Sequence, residues 1–260
     1  MRTEKQGFSW DRESDDYMKR NYPFNKATDI SKKLNRSIRS VYSKASRMGL
    51  KKKEIKRTGD VASFNINLFD TFTAENCYFL GYLFADGWIY KRSKYSFDIG
   101  IELKDHEMIK KFSILTESNR ISKHRKNLQL ILTNYFFAQK MLSLGFNSKK
   151  TRCSKIPKIP KQYKKDFIRG YFDGDGHIFL YHDKRSLKIQ AKGGISSINK
   201  KILNEIWEFL NFGNIYKNEN TFILQFGKRD SIKFYELLYY PGCLCLDRKR
   251  ITFEELLNAK

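Results

Sequence analysis

The sequence is poor in the residues that would staple it, anchor it or export it. It has four cysteines and four prolines in 260 residues, and Cys77, Cys153, Cys243 and Cys245 form no Cys-x-x-Cys pair, so neither a disulfide framework nor a zinc site is indicated. Reduced structural thiols are expected. The histidines, His106, His124, His177 and His182, lack the spacing of a zinc-bound pair. No apolar stretch approaches the roughly 18 residues that a bilayer crossing requires, and the opening Met1-Arg2-Thr3-Glu4-Lys5-Gln6 leads into no apolar segment of a secretory signal. Cytoplasmic residence without membrane contact is therefore expected. Acidic side chains are scarce as well: 28 stand against 51 basic ones, a net charge of +23, which points to a polyanionic partner, nucleic acid before anionic lipid. An apolar fraction of 40% still suffices for a packed core, and the length for one large domain or a medium one with a small companion.

The positive charge is concentrated where a compact helical pattern begins. Residues 26–57 carry twelve basic side chains against Asp29 and Glu54. Thr28 is expected to cap a short helix through Leu34, Asn35-Arg36-Ser37 to turn, and a second helix to run from Ser37 to Met48 with Gly49 as its stop. Ile38, Val41, Tyr42, Ala45 and Met48 fall on one face of that helix at three- and four-residue intervals, and Arg39, Ser40, Ser43, Lys44 and Arg47 on the other. Trp10, Tyr17 and Met18 supply the apolar face of a preceding helix. Residues 1–50 thus read as an all-α helix-turn-helix unit, and the segment from Asp29 to Leu50 resembles the Myb-like modules of mobile-element DNA enzymes, which implies DNA contacts from the polar face. Residues 51–72 read as a basic linker.

The remainder repeats itself. Phe79-Leu80-Gly81-Tyr82-Leu83-Phe84-Ala85-Asp86-Gly87 and Ile168-Arg169-Gly170-Tyr171-Phe172-Asp173-Gly174-Asp175-Gly176 match as Gly-Tyr-x-x-small-Asp-Gly. After the first, residues 97–103 alternate with period two, 107–115 are amphipathic, 128–132 read as a strand and 136–144 as a helix. After the second, 187–191 alternate, 200–210 read as a helix, 221–226 as a strand and 232–239 as a helix. The fold class expected is α/β, a pseudo-symmetric pair of αββαββα repeats at about 73–155 and 162–260, in one domain over 73–260.

On a helix, Gly81 with Ala85 and Gly170 with Gly174 each make a small-residue strip that lets two backbones approach closely. Asp86 and Asp175 then lie side by side at the negative ends of two touching helices, where a carboxylate is disfavoured. A seam built for stability alone would not place acids there, so the pair asks for cations. Two hard oxygen donors that leave room for phosphate and water suit Mg²⁺.

These two motifs, with the segments that follow them, make residues 73–260 resemble a double-motif LAGLIDADG homing endonuclease. The resemblance implies a saddle of two sheets on DNA, Asp86 and Asp175 as metal ligands, and a catalytic lysine after the last helix of each repeat. Ser148-Lys149-Lys150-Thr151 then points to Lys150, and Leu246-Asp247-Arg248-Lys249 to Lys249. It further implies Mg²⁺-dependent hydrolysis of both strands of a long duplex target by a monomer with an internal pseudo-dimer, as in intron homing. Strand parity after each aspartate puts Trp88, Tyr90 and Arg92 on the DNA side of one half and His177, Phe179 and Tyr181 on that of the other. With Leu187, Ile189 and Ala191 inward, Lys188, Gln190 and Lys192 face outward, and in the first half the same parity exposes Ser96, Asp98 and Glu102. The competing class is a binder that does not cleave, an intron RNA maturase or a transcription regulator on the same scaffold. Without Cys or Ser after Met1 or a terminal His-Asn, the chain does not resemble a complete self-splicing intein.

Overall fold

The computed structural model describes residues 10–23, 25–51, 64–147, 155–184 and 188–259. The chain divides into two units, Met1–Thr58 and Gly59–Lys260.

In the first unit, α1 (Arg12–Asn21) starts at Asp11, whose carboxylate accepts from the Ser14 amide at 2.7 Å and is held below the usual carboxylate range by that donor. Helix α2 (Ala27–Lys33) starts at Lys26 without a side-chain cap, so Thr28 sits inside the first turn and is not the cap expected of it. The earlier start brings Ala27 and Ile30 together into the core. Helix α3 (Ile38–Arg47) is capped by the Ser37 hydroxyl on the Ser40 amide, and Gly49 follows its end at φ +64°, a left-handed turn that glycine adopts without strain. Met18, Tyr22, Ala27, Ile30, Val41 and Ala45 form the core of this unit. Only part of the expected stripe is inside: Ile38 and Tyr42 stay exposed, because three short helices leave too little neighbouring surface to cover so wide a face.

The second unit repeats one chain path. Helix α4 (Ala74–Asp86) leads into β1 (Trp88–Ser93), β2 (Ser96–Leu103), α5 (His106–Thr116), β3 (Ile121–His124), β4 (Asn127–Thr133) and α6 (Tyr135–Ser143). After a short 3₁₀ turn, α7 (Lys164–Asp175) leads into β5 (Gly176–His182), β6 (Ile189–Ser197), α8 (Lys200–Leu210), β7 (Asn214–Asn218), β8 (Thr221–Gly227) and α9 (Lys228–Leu238), and α10 (Asp247–Asn258) follows. Each half makes an antiparallel four-stranded sheet, ordered β1-β2-β4-β3 and β5-β6-β8-β7. One core joins both halves, from Ile99, Ile101 and Leu130 of the first sheet, through the motif helices, to Ile195, Leu224 and Phe226 of the second. Among the described residues no helix is long and apolar enough to cross a membrane.

The edge strands β3 and β7 were not located by pattern, since both are short and mostly polar. Strand β6 begins at Ile189 and runs further than the alternation suggested, while Leu187 lies outside the described residues. Gly193 and Gly194 hide its second half from a propensity reading. Both are there for space: a Cβ on Gly193 would enter the Phe226 ring, and one on Gly194 would stand 3.0 Å from the His177 ring.

Candidate active site

Helix α4 is pinned at its start by a reciprocal cap. The Thr73 hydroxyl accepts from the Asn76 amide at 3.2 Å and the Asn76 side chain accepts from the Thr73 amide at 2.8 Å. From there it runs buried against α7. A Cβ on Gly81 would collide with the Phe167 carbonyl oxygen, and one on Gly170 with the Tyr78 carbonyl oxygen. The two backbones touch through these glycines. A Cβ on Gly174 would collide with that of Ala85 and stand 3.2 Å from Oδ2 of Asp86.

Both aspartates are the last residues of their helices, and both are half-buried. Gly87 and Gly176 are the C-terminal caps of these helices, at φ −72° and −95°, in extended backbone. They are glycines because a Cβ would strike the carbonyl oxygens of Leu83 and Phe172. Each chain therefore leaves its helix extended and passes directly into a sheet. Asp175 lies at a cleft lined also by Phe84, Tyr171, Ser196 and Ser197, in which the Tyr171 hydroxyl is 3.1 Å from that of Ser197.

Lys249 is 4% exposed. It follows the last helix of its repeat, α9, as expected, and lies in the first turn of the additional helix α10. Its ammonium donates to the carbonyls of Phe172 at 2.6 Å, Asp173 at 2.9 Å and Gly176 at 2.6 Å, so all three protons serve the C-terminal end of α7, which helical geometry leaves without donors. Burial lowers its pKa to about 8, against the charges of Asp173, Asp86 and Asp175, which raise it. In this structure the ammonium is held by backbone at the end of α7, next to Asp175. Its partner in the first half, Lys150, lies outside the described residues. Unfolding returns Lys249 to its ordinary value of 10.5, so the unfolded chain takes up a proton between about pH 8 and 10.5 and this group makes stability rise with pH there. Melting curves across that range should show the rise in the parent protein and its loss in Lys249→Met, whose Tm should also be several degrees lower at neutral pH.

A side chain that pattern reading passed over holds α10 in place. Asp173, fully buried, accepts from the Tyr78 hydroxyl at 2.7 Å, from the Leu246 amide at 2.8 Å and from the Tyr239 hydroxyl at 3.5 Å. Burial pushes its pKa up to about 6, opposed first by Lys249. Arg169 is equally buried and ties α7 to the last segments, donating to Asp166 at 2.7 Å and to the carbonyls of Leu244 at 2.7 Å and Leu238 at 2.5 Å. The available signal was the mismatch between motifs: Arg169 and Asp173 stand where the first copy has Leu80 and Phe84.

Two helices meeting at glycines, each delivering an aspartate to the base of a four-stranded sheet, have counterparts among known proteins. Residues 168–239 match the family model described as LAGLIDADG endonuclease. The fold is similar to that of the LAGLIDADG meganuclease I-AabMI bound to uncleaved DNA, with TM-score 0.51 at 11% identity over 72% of this chain and 90% of that one. It is likewise similar to the I-LtrWI homing endonuclease bound to target DNA, with TM-score 0.50 at 14% identity over 71% and 90% of the two chains. The fold of the second unit is that of the LAGLIDADG meganucleases, and its second half carries the family match. A curated relative, a probable translation initiation factor IF-2 of Thermococcus kodakarensis, is 28% identical over 165 residues, or 59% of this chain. The match covers 13% of that relative's length.

The outer faces of the second unit's two sheets differ. In the first, the Trp88 ring lies over Gly100, where a Cβ would collide with it, and Tyr90 is exposed. Asp98, expected at the surface, is buried: Arg92 pairs with it, Thr133 donates to it at 2.6 Å, and Arg120 donates to Thr133 at 2.7 Å. Glu102 is bound by His124 at 3.0 Å and Asn127 at 2.8 Å, which hold its carboxyl below the usual range, and Ser96 is half-buried. In the second sheet, Phe179, Tyr181, Lys188 and Lys192 are exposed, with Gln190 and His177 half-buried. Burial first, then the charges of Lys249 and Lys192, lower the pKa of His177, which keeps its ring neutral at pH 7.

In the N-terminal unit Arg39, Ser43 and Arg47 are exposed and Ser40 is half-buried. Lys44 is not offered outward as expected: its ammonium is 2.5 Å from Asp15 and lies over the Trp10 ring. Among the described residues no three His, Cys, Asp or Glu side chains gather as a metal cluster. The donor set is the carboxylate pair alone, which fits Mg²⁺, a cation that takes one or two carboxylates and completes its shell with water and phosphate oxygens.

Proposed function

We propose that the chain is a site-specific endonuclease that hydrolyses one phosphodiester bond in each strand of a duplex, with a divalent cation. The observation that carries this reading is the glycine seam, which delivers Asp86 and Asp175 together at the foot of two sheets. Asp86 and Asp175 would hold the cations, and a bound cation supplies a water of lowered pKa and neutralises charge on the phosphate oxygens. Around it, the chain's own groups orient and hold. Lys249 fixes the last carbonyls of α7 and sets the place of Asp175, and its buried positive charge favours the anionic form of both aspartates. The backbone turns at Gly87 and Gly176 carry each strand straight from its aspartate onto a sheet face that meets the duplex. Because one chain holds both motifs, a monomer would cut both strands. Incubation with a random-sequence duplex library and Mg²⁺, with EDTA as control, tests the reading. Metal-dependent double-strand ends at one recurring sequence are expected, and retention of RNA or DNA without breaks at any metal concentration would favour the non-cleaving class.

The N-terminal unit would act as an added DNA-binding module through Arg39, Ser43 and Arg47, with the run 51–57 extending its charge. Deleting residues 1–57 leaves both aspartates and Lys249 in place. Binding should weaken and its dependence on salt should become shallower, by about one unit of log-log slope for each phosphate that is no longer neutralised, with cleavage at the same bonds. Filter binding across a salt series checks this, and an unchanged slope would make the module's basic face mere solvated surface.

A further inference from the structure

The outer face of β5 carries a ladder of aromatic rings that burial does not explain. His177, Phe179 and Tyr181 stand on one side of the strand, with centroids 6.1 Å and 6.2 Å apart in succession. On the opposite side of the same strand Ile178 packs against the core, so the ladder is not needed to close it. Phe179 is 46% and Tyr181 47% exposed. Across the ladder, in register, Tyr181 faces Gln190 and Phe179 faces Lys192. At the matching positions of the first sheet Trp88 packs on Gly100, Arg92 pairs with Asp98, and Tyr90 alone stands exposed between them.

We infer that the second sheet reads A·T pairs of duplex DNA in the major groove, Phe179 and Tyr181 meeting thymine methyl groups while Gln190 meets the adenine edge. The inference rests on the endonuclease reading and deepens it by naming a half-site preference. An amide beside an aromatic ring matches the two things an A·T pair shows in that groove, the adenine N6/N7 edge and the thymine C5-methyl. The ring spacing is close to two base-pair steps, about 6.8 Å, so successive rings fall on alternate pairs. Lys192 and Lys188 on the same sheet supply the charge that a duplex backbone requires. The first sheet exposes a single ring, Tyr90, at the matching positions, so the preference is stronger beneath β5.

The full-length protein is first used to select duplexes from a random library in Ca²⁺, and deoxyuridine then replaces thymine in one half of the selected site at a time. Each methyl removed from the half beneath β5 should weaken binding about fourfold, the worth of one buried methyl group. The same replacements in the other half, beneath a single exposed ring, should have a smaller summed effect. Phe179→Ala, at an exposed position, should fold with an unchanged circular dichroism spectrum, bind the thymine site more weakly and lose the thymine-uracil discrimination at its pair. Equal affinity for thymine and uracil sites in the parent protein overturns the inference while leaving the endonuclease reading intact. Tighter binding of the single strand than of the duplex overturns it in favour of rings stacking on unpaired bases. Failure to select any duplex overturns the endonuclease reading and the inference with it.

Discussion

Asp175→Asn and Asp86→Asn are each expected to lower double-strand cleavage by far more than a hundredfold while leaving duplex affinity within a few-fold. Changes to the mere outer partners of metal ligands already cost about 10–100-fold, and here the ligand itself is neutralised. Affinity should hold because each aspartate sits at the negative end of its helix beside the other, where removing one negative charge relieves repulsion with its neighbour and with the phosphate. The isosteric amide keeps the seam packed. A supercoiled plasmid carrying the target separates the outcomes: nicked circles from a single variant mean that one site still works, and no product from the double variant completes the assignment. Linear product at the parental rate from either variant would remove the metal site from these residues.

Gly170→Ala is expected to have the second largest effect, on stability. The added Cβ meets the Tyr78 carbonyl oxygen of the facing helix, a backbone atom that moves only if the helices part. Overpacking of this kind costs about 1–3 kcal/mol or more, which corresponds to roughly 2–4 °C of Tm per kcal/mol in a domain of 150–250 residues. Gly81→Ala meets the Phe167 carbonyl in the mirrored way and should cost the same. Gly227→Ala is a useful control, since nothing lies near its Cβ and its φ of −91° suits any residue. A Gly170→Ala variant that melts with the parent protein would mean that the helices do not cross at this residue.

How far the chain discloses itself depends on whether a residue's neighbours are close in sequence. The repeat, the motif helices, the order of strands and helices and the pairing of Asp86 with Asp175 follow from local spacing and from the match between two copies. Edge strands β3 and β7 did not, because a short polar strand carries too few positions to show a period. Helix α10 has no counterpart in the repeat, so comparison of the two copies carries no signal for it or for the burial of Lys249.

By itself the sequence determined the double α/β repeat, the small-residue seam, the two aspartates at its end and the excess of positive charge, all of which are written in residue type and interval. Only the tertiary structure decided what each polar group faces. Asp98 became a buried partner of Arg92, Lys44 a partner of Asp15, and Lys249 the donor to three carbonyls that lie 73 to 77 residues away in the chain. Strand parity says to which side a side chain points, and helix spacing says which face it shares. Whether a charge there meets solvent or a partner depends on segments brought close by folding, and a charge taken from water keeps its place only where such partners satisfy it.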